Sequence, residues 1–147
     1  MILAIDPGTT VSGVVVLDEG RVHESHIMPN DQVIERIQWW TWPDVAIEMV
    51  ASYGMPVGAE VFETVRWIGR FQQAFHAPDQ VRFVYRKDVK MHLCGTMKAK
   101  DPNIRQALID KLGPAGTKRA PGPTYGVKSH AWAALAVAVT AAETPRA

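Results

Sequence analysis

A mixed α/β fold is predicted, built on a five-stranded sheet whose first three strands are antiparallel and whose last two run parallel to the first, with helices on its faces. Three observations predict it. Residues 2–6, 11–17 and 21–27 read as strands joined by tight turns at 7–10 and 18–20, so the chain opens as three antiparallel strands. From residue 31 onward, helical and strand spacing alternate, and a strand, helix, strand order returns the chain parallel to where it began. The chain has 147 residues, which fits one domain spanning 1–147 and burying roughly 68 to 70% of its unfolded surface.

The elements follow in order. In 2–6, Ile2, Leu3, Ala4 and Ile5 form a buried run closed by Asp6, and Gly8 in the turn Pro7-Gly8-Thr9-Thr10 can take the positive φ other residues resist. Residues 31–40 carry Val33, Ile34 and Ile37 at helical spacing, with Asn30 or Asp31 as N-cap, and lead through Pro43 into the strand 45–48. A loop of small residues at 50–58 precedes a helix at 59–77, whose stripe is Val61, Val65, Ile68, Phe71 and Phe75 and whose end is set by Pro78. A fifth strand at 81–85 is followed by short helices at 88–94 and 103–112, stopped by Gly95 and Gly113. Residues 113–128 are rich in Gly and Pro, without periodicity, and the last helix runs from Ser129 as N-cap to about residue 142.

Net charge is only +1, but the charge is segregated. Residues 1–81 hold four Arg and no Lys against eleven Asp and Glu, a net of −7, whereas 82–128 hold eleven Lys and Arg against Asp88, Asp101 and Asp110, a net of +8. The second half is a candidate polyanion-binding face; ordinary solvated helix charges are the alternative. Cys94 is the sole cysteine, so no internal disulfide and no cysteine-rich zinc site can form within the chain. With no signal-like opening and no apolar stretch of about 20 residues, a cytoplasmic protein without membrane association is expected.

Three polar residues interrupt apolar runs: Asp6 closes Ile2 to Ile5, Glu48 closes Val45-Ala46-Ile47, and His130 opens the stretch 131–142. A carboxylate at the end of a buried strand is costly unless a cation or hydrogen-bond donors meet it. Two such acids on parallel strands converge where open α/β sheets place ligands, which points to a metal site. The alternative makes Asp6 a turn cap and Glu48 the partner of a nearby Lys or Arg, and leaves unexplained why both end apolar strands. A histidine in the first turn of a helix faces the positive end of the dipole, which favours the neutral ring able to ligate metal or accept a proton from water. The bland alternative is a surface histidine beside its N-cap.

The order of elements is the layout of the ribonuclease H-like fold, and the residues carry a family resemblance. Ile5-Asp6-Pro7-Gly8-Thr9-Thr10 with Gly13, then Ile47-Glu48, then Asp88-Val89-Lys90 with Gly95, and finally Ala134-Leu135-Ala136-Val137-Ala138 resemble the RuvC-type Holliday junction resolvases in order and spacing over nearly the whole chain. Residues 48–54 and 129–135 resemble the short bacteriophage members, which implies a bacterial or phage-infected host cytoplasm. The resemblance implies a homodimer that cuts branched DNA, four-way junctions, by paired phosphodiester hydrolysis with Mg²⁺ or Mn²⁺, two ions per site. It makes Asp6, Glu48 and His130 catalytic residues and metal ligands. Cellular members usually have a second acid one turn beyond His130, where this chain has Ala133; either three protein ligands and water suffice, or an acid elsewhere compensates, with Asp101 the candidate, standing where the family more often has an active-site lysine, with Lys100 beside it. Asp101 as a helix cap before Pro102 is the alternative.

Phosphate contacts are expected from Lys87, Lys90, Lys98, Lys100, Lys118, Arg119 and Lys128, and Tyr53 is expected either as a wedge stacking on exposed bases or as a residue packed on the next helix. Trp39, Trp40 and Trp42 are expected to pack against the sheet, and Phe62 and Trp67 lie outside the main stripe of their helix, offering either a face for a second copy of the chain or part of a thicker monomer core. His23 and His26 point to opposite strand faces, and His92 is expected to pair with Asp88. Three rivals stand beside the junction enzyme. An actin-like ATPase shares the Asp-x-Gly-Thr-Thr pattern but needs two related domains; a ribonuclease H-like nuclease processing RNA uses the same strand-end acids; and a branched-DNA binding protein would bind without cutting.

Overall fold

The computed structural model describes residues 1–146. Strands β1 (Ile2–Asp6), β2 (Val11–Asp18) and β3 (Arg21–Pro29) are antiparallel, and helix α1 (Asn30–Trp39) crosses to β4 (Asp44–Met49), which lies parallel to β1. Helix α2 (Ala59–Ala74) and a 3-10 turn (Pro78–Gln80) lead to β5 (Arg82–Tyr85), parallel to β4, and α3 (Arg86–Cys94), α4 (Asp101–Leu112) and α5 (Ala131–Glu143) complete the chain. The sheet order is β3-β2-β1-β4-β5, the mixed five-stranded sheet expected.

Strand alternation divides the core between the two faces. Leu3, Ile5, Val14, Val16, Val45 and Ile47 pack with Val33, Ile37, Ile68 and Phe71 of α1 and α2. The opposite residues, Ile2, Ala4, Val15, Leu17, Ala46 and Val84, pack under α3, α4 and α5. Helix α5 is buried from Ala131 to Ala141 except at Ala133, which is partly covered, and its alanines let it lie close on β1 and β2.

Several expectations are corrected. Helix α2 stops at Ala74, and Pro78 opens the 3-10 turn rather than ending the helix. Helix α5 begins at Ala131, after a left-handed Ser129 with φ 52° that makes no cap bond. Asn30 does not cap α1: it is buried, accepts from the Ser12 hydroxyl at 2.6 Å and donates to the Gly8 carbonyl at 3.0 Å. Gly8 does not need a positive φ; it needs the absence of a side chain, since a Cβ there would stand 2.2 Å from the Val11 carbonyl oxygen. Only Trp42 of the tryptophans at the end of α1 is buried, donating its indole N–H to the Arg36 carbonyl, whereas Trp39, still within α1 but off the face of Val33 and Ile37, and Trp40, where the backbone turns extended, are exposed. Val65 and Phe62 on the first half of α2 are exposed too, so its stripe is covered only from Ile68 onward. His92 contacts Glu143 rather than Asp88, whose carboxylate instead accepts from the Tyr85 amide.

Candidate active site

Asp6 and Glu48 come together through the parallel β1–β4 ladder. Ile5 is in register with Ile47, so the next residue on each strand lies at the carboxyl edge of the sheet, beside its counterpart. Both side chains are largely buried. Burial pushes the Glu48 carboxyl up to about 8, reinforced by the charge of Asp6 and by donating its proton to it, and opposed by Arg86. Burial also raises Asp6, against the hydrogen bond from Glu48 and the charge of Arg86. Among the described residues Glu48 Oε1 has no hydrogen-bond partner although it is buried.

His130 reaches this pair from the opposite layer. It occupies the N-cap position of α5, is well exposed, and places Nδ1 3.3 Å from Asp6 Oδ2. Gly13 makes the approach possible. It pairs with Asp6 across β1–β2, and a Cβ on it would lie 2.4 Å from the His130 carbonyl oxygen and 3.0 Å from the Ala131 nitrogen. The turn 7–10 beside them is pinned by the Ser12–Asn30–Gly8 bonds and by the Asn30 amide donating to Thr10.

A cleft of about 660 Å³ opens over the pair, lined by Asp6, Glu48, Arg86, Asp101, Arg105 and His130 among others, with Ala133 on its wall. A second groove of about 390 Å³, lined by Pro7 to Val11, Val50 and residues of α2, meets it at His130. The N-terminal ends of α3, α4 and α5 open on the larger cleft through Arg86, Asp101 and His130, so three positive dipole ends face one space. Arg86 spans it. One terminal nitrogen pairs with Asp101, and the other lies 3.9 Å from Glu48 Oε1. Arg105 stacks its guanidinium 4.8 Å over the Trp132 ring, whose buried indole N–H has no acceptor among the described residues.

The predicted residues are thus gathered unequally. Asp6, Glu48 and His130 share the site. Asp101 lines the cleft, but its exposed carboxylate is held by Arg86, and it stands at the first position of α4 with Lys100 before it as the N-cap residue. Of the seven cations expected to hold phosphate, none lines the cleft. Lys87, Lys100 and Lys128 are chain neighbours of lining residues; Lys90 and Lys98 lie further along α3 and its following turn; Lys118 and Arg119 form the tip of the turn 117–120. Among the described residues none of the seven is in an ion pair, whereas Arg86 and Lys111 are. Tyr53 does not pack on α2: it is exposed, at φ 51°, in the loop between β4 and α2. Arg86 and Arg105 escaped the sequence reading, which saw them only as members of a basic run.

The donors suit a hard cation. Two carboxylates at one strand edge, one with an orphaned buried oxygen, offer oxygen ligands whose desolvation a divalent ion would offset. No three His, Cys, Asp or Glu side chains among the described residues close on a single point, so His130 would have to move to join the same ion. Among the described residues no helix is long and apolar enough to cross a membrane.

No protein-family model and no curated protein matches this sequence. Solved structures do. Thermus thermophilus RuvC in complex with Holliday junction substrate superposes with a TM-score of 0.67 at 24% identity, covering 96% of this chain and 92% of that one. Thermus thermophilus RuvC alone gives a TM-score of 0.67 at 23% identity over the same shares. The chain has the RuvC-type, ribonuclease H-like fold.

Proposed function

We propose that the chain is a single RuvC-like nuclease domain, a structure-selective endodeoxyribonuclease that cuts four-way DNA junctions by paired phosphodiester hydrolysis. The observation that carries this reading is the buried Asp6–Glu48 pair with its unpartnered Glu48 oxygen, at the sheet edge of a fold shared with a RuvC solved on a Holliday junction. Asp6 and Glu48, with His130, would hold Mg²⁺ or Mn²⁺, two ions per site, and such ions activate water and stabilise the leaving oxygen. In the reaction a water oxygen bonds phosphorus and gives up a proton, the bridging P–O bond breaks, and the leaving oxygen takes up a proton. His130 faces Asp6 Oδ2 through Nδ1 and is exposed at the mouth of both grooves, so its other ring nitrogen would serve either as the ion's ligand or as the acceptor of the water's proton.

Junction binding is assigned to the seven cations, none of them ion-paired among the described residues, and to Tyr53, whose exposed ring is free to stack on bases at the crossover. Phe62 and Val65, exposed on α2, support a homodimer burying that face. A cytoplasmic site of action in a bacterium or phage-infected cell follows from the substrate. Lys100 is assigned to phosphate contact rather than to chemistry.

The test is incubation with end-labelled four-way junction, linear duplex and structured RNA, in Mg²⁺, Mn²⁺ or EDTA, resolved on a denaturing gel. Paired, metal-dependent nicks confined to the junction are expected. Cleavage of RNA alone would move the chain to the RNA-processing nucleases, and tight junction binding without a cut in any metal would make it a branched-DNA binding protein.

A further inference from the structure

We propose that Arg86 is the residue that meets the reacting phosphate and that Asp101 is its positioning residue; this rests on the nuclease reading above. Arg86 follows directly on β5, whose Val84 is in register with Glu48, so the backbone delivers its side chain over the carboxylate pair. A guanidinium carries five N–H donors in a rigid fork. Here one end is taken by Asp101, while the other faces Glu48 Oε1 at 3.9 Å, too far for a hydrogen bond. The guanidinium is therefore anchored on the outer side of the cleft with donors left over on the inner side. That is the arrangement that recognises a second anion bidentately, and the anion this reaction brings there is a phosphodiester.

Asp101 complements the dipole at the start of α4, a role that does not call for Arg86. Its side chain is 83% exposed, and an exposed pair of this kind contributes little to stability, so holding Arg86 for the fold's sake is a poor account of it. Held by Asp101, Arg86 stays at the cleft when cations occupy the Glu48 oxygen it now faces. Without Asp101, the guanidinium has Glu48 as its nearest anion and would compete with the ion for it.

The experiment compares R86A, R86K, D101N and R86A/D101N in two measurements, with thermal melts confirming that each variant folds. The first is single-turnover and steady-state cleavage of a four-way junction in Mg²⁺. R86A should lower kcat by about 100-fold with little change in KM, as expected for a donor aimed at charge developing in the transition state. R86K should recover only part of this, because an ammonium cannot hold Asp101 and phosphate together in one plane. D101N should lower kcat by about 10-fold in the wild-type background and by nothing further in R86A, the non-additivity of a residue acting through another. The second is calorimetric titration of Mn²⁺ without DNA, where D101N should leave affinity unchanged in the R86A background. A wild-type kcat in R86A, or weaker Mn²⁺ binding on adding D101N to R86A, would overturn the proposal, the latter by making Asp101 a cation ligand. A wild-type chain that cuts nothing would remove the nuclease reading and Arg86's role together, whereas cleavage that survives R86A would remove the Arg86 role alone.

Discussion

Gly13 and His130 are in backbone contact: a Cβ on Gly13 would stand 2.4 Å from the His130 carbonyl oxygen. The contact sets how closely the start of α5 approaches β2, and so holds His130 at Asp6. Gly13→Ala must push the first turn of α5 off the sheet, at a cost of about 1–3 kcal/mol. Its cleavage should fall to the level of His130→Ala, roughly 100-fold below wild type, while His130→Ala keeps its melting temperature because the ring is largely exposed. Melting curves and junction cleavage on both variants check this. A fully active Gly13→Ala would show that the position of α5 does not matter to the chemistry.

The buried Ser12–Asn30 pair makes a prediction away from the chemistry. Asn30→Ala would leave the Ser12 hydroxyl without its acceptor and the Gly8 carbonyl without its donor. Leaving such groups unsatisfied costs about 1–3 kcal/mol. Denaturant titration of Asn30→Ala against Ser12→Ala/Asn30→Ala should show a smaller loss per residue in the double variant, since both ends of the bond are then gone. Equal and additive losses would mean that the pair does not work as a unit.

How much of this was legible in the sequence depends on whether a signal was local. Asp6, Glu48 and His130 could be found because each breaks an apolar pattern, and a charged group at the end of a buried run has few structural excuses. Gly13 sat within the resemblance, but its reason, the approach of α5 from the far end of the chain, lay outside any window of neighbouring residues. Arg86 was hidden for the same cause: its partners Glu48 and Asp101 come from β4 and α4, and one arginine in a basic run looks like any other. Trp39 and Trp40 misled because rings at a helix end beside a strand usually pack on the sheet, whereas α1 buries Val33 and Ile37 and leaves Trp39 on its exposed face, and the extended backbone at Trp40 leaves that ring exposed too.

Cation-free stability should depend on pH with a definite sign. The folded chain keeps a proton on Glu48 up to about pH 8, whereas the unfolded chain releases it near the ordinary 4.5. The folded pKa is the higher one, so this contribution to stability is fully present below about 4.5 and is lost as pH rises through about 8. In EDTA the melting temperature should fall between pH 5 and pH 9 (roughly the window of this titration) by an amount equivalent to on the order of 3 kcal/mol. Glu48→Gln should flatten the curve. Mn²⁺ should restore stability most at the alkaline end, where both carboxylates are charged. A wild-type curve as flat as that of Glu48→Gln would mean that the pair is not strained by burial.

Asp6 separates cutting from binding. Asp6→Asn keeps the shape of the side chain and removes the charge that a cation would meet, so junction cleavage should be abolished. Junction affinity should hold within about threefold, because phosphate contact is spread over many cations. Gel-shift titration in Ca²⁺ beside a cleavage assay in Mg²⁺ gives both numbers on one preparation. Unchanged cleavage would sink the assignment of Asp6, and a protein that never cut would show no difference between variant and wild type in either assay.

The turn 117–120 tests whether the basic second half binds phosphate or is merely solvated. Lys118 and Arg119 stand at its exposed tip, and neither is ion-paired among the described residues, so their charge is available to a partner. Each phosphate a cation neutralises releases condensed counterions, and the slope of log affinity against log salt shallows by about one for each phosphate left without its cation. Lys118→Ala/Arg119→Ala should therefore weaken junction binding at low salt, shallow the slope by about two, and leave kcat at saturating junction unaltered. Phosphate contact carries no sequence information, so the weakening should be the same for junctions of different arm sequence. Affinity measured across a salt series decides it. A wild-type slope in the double variant would assign the two charges to solvent and move the binding face to Lys87, Lys100 and Lys128, around the helix N-termini at the cleft.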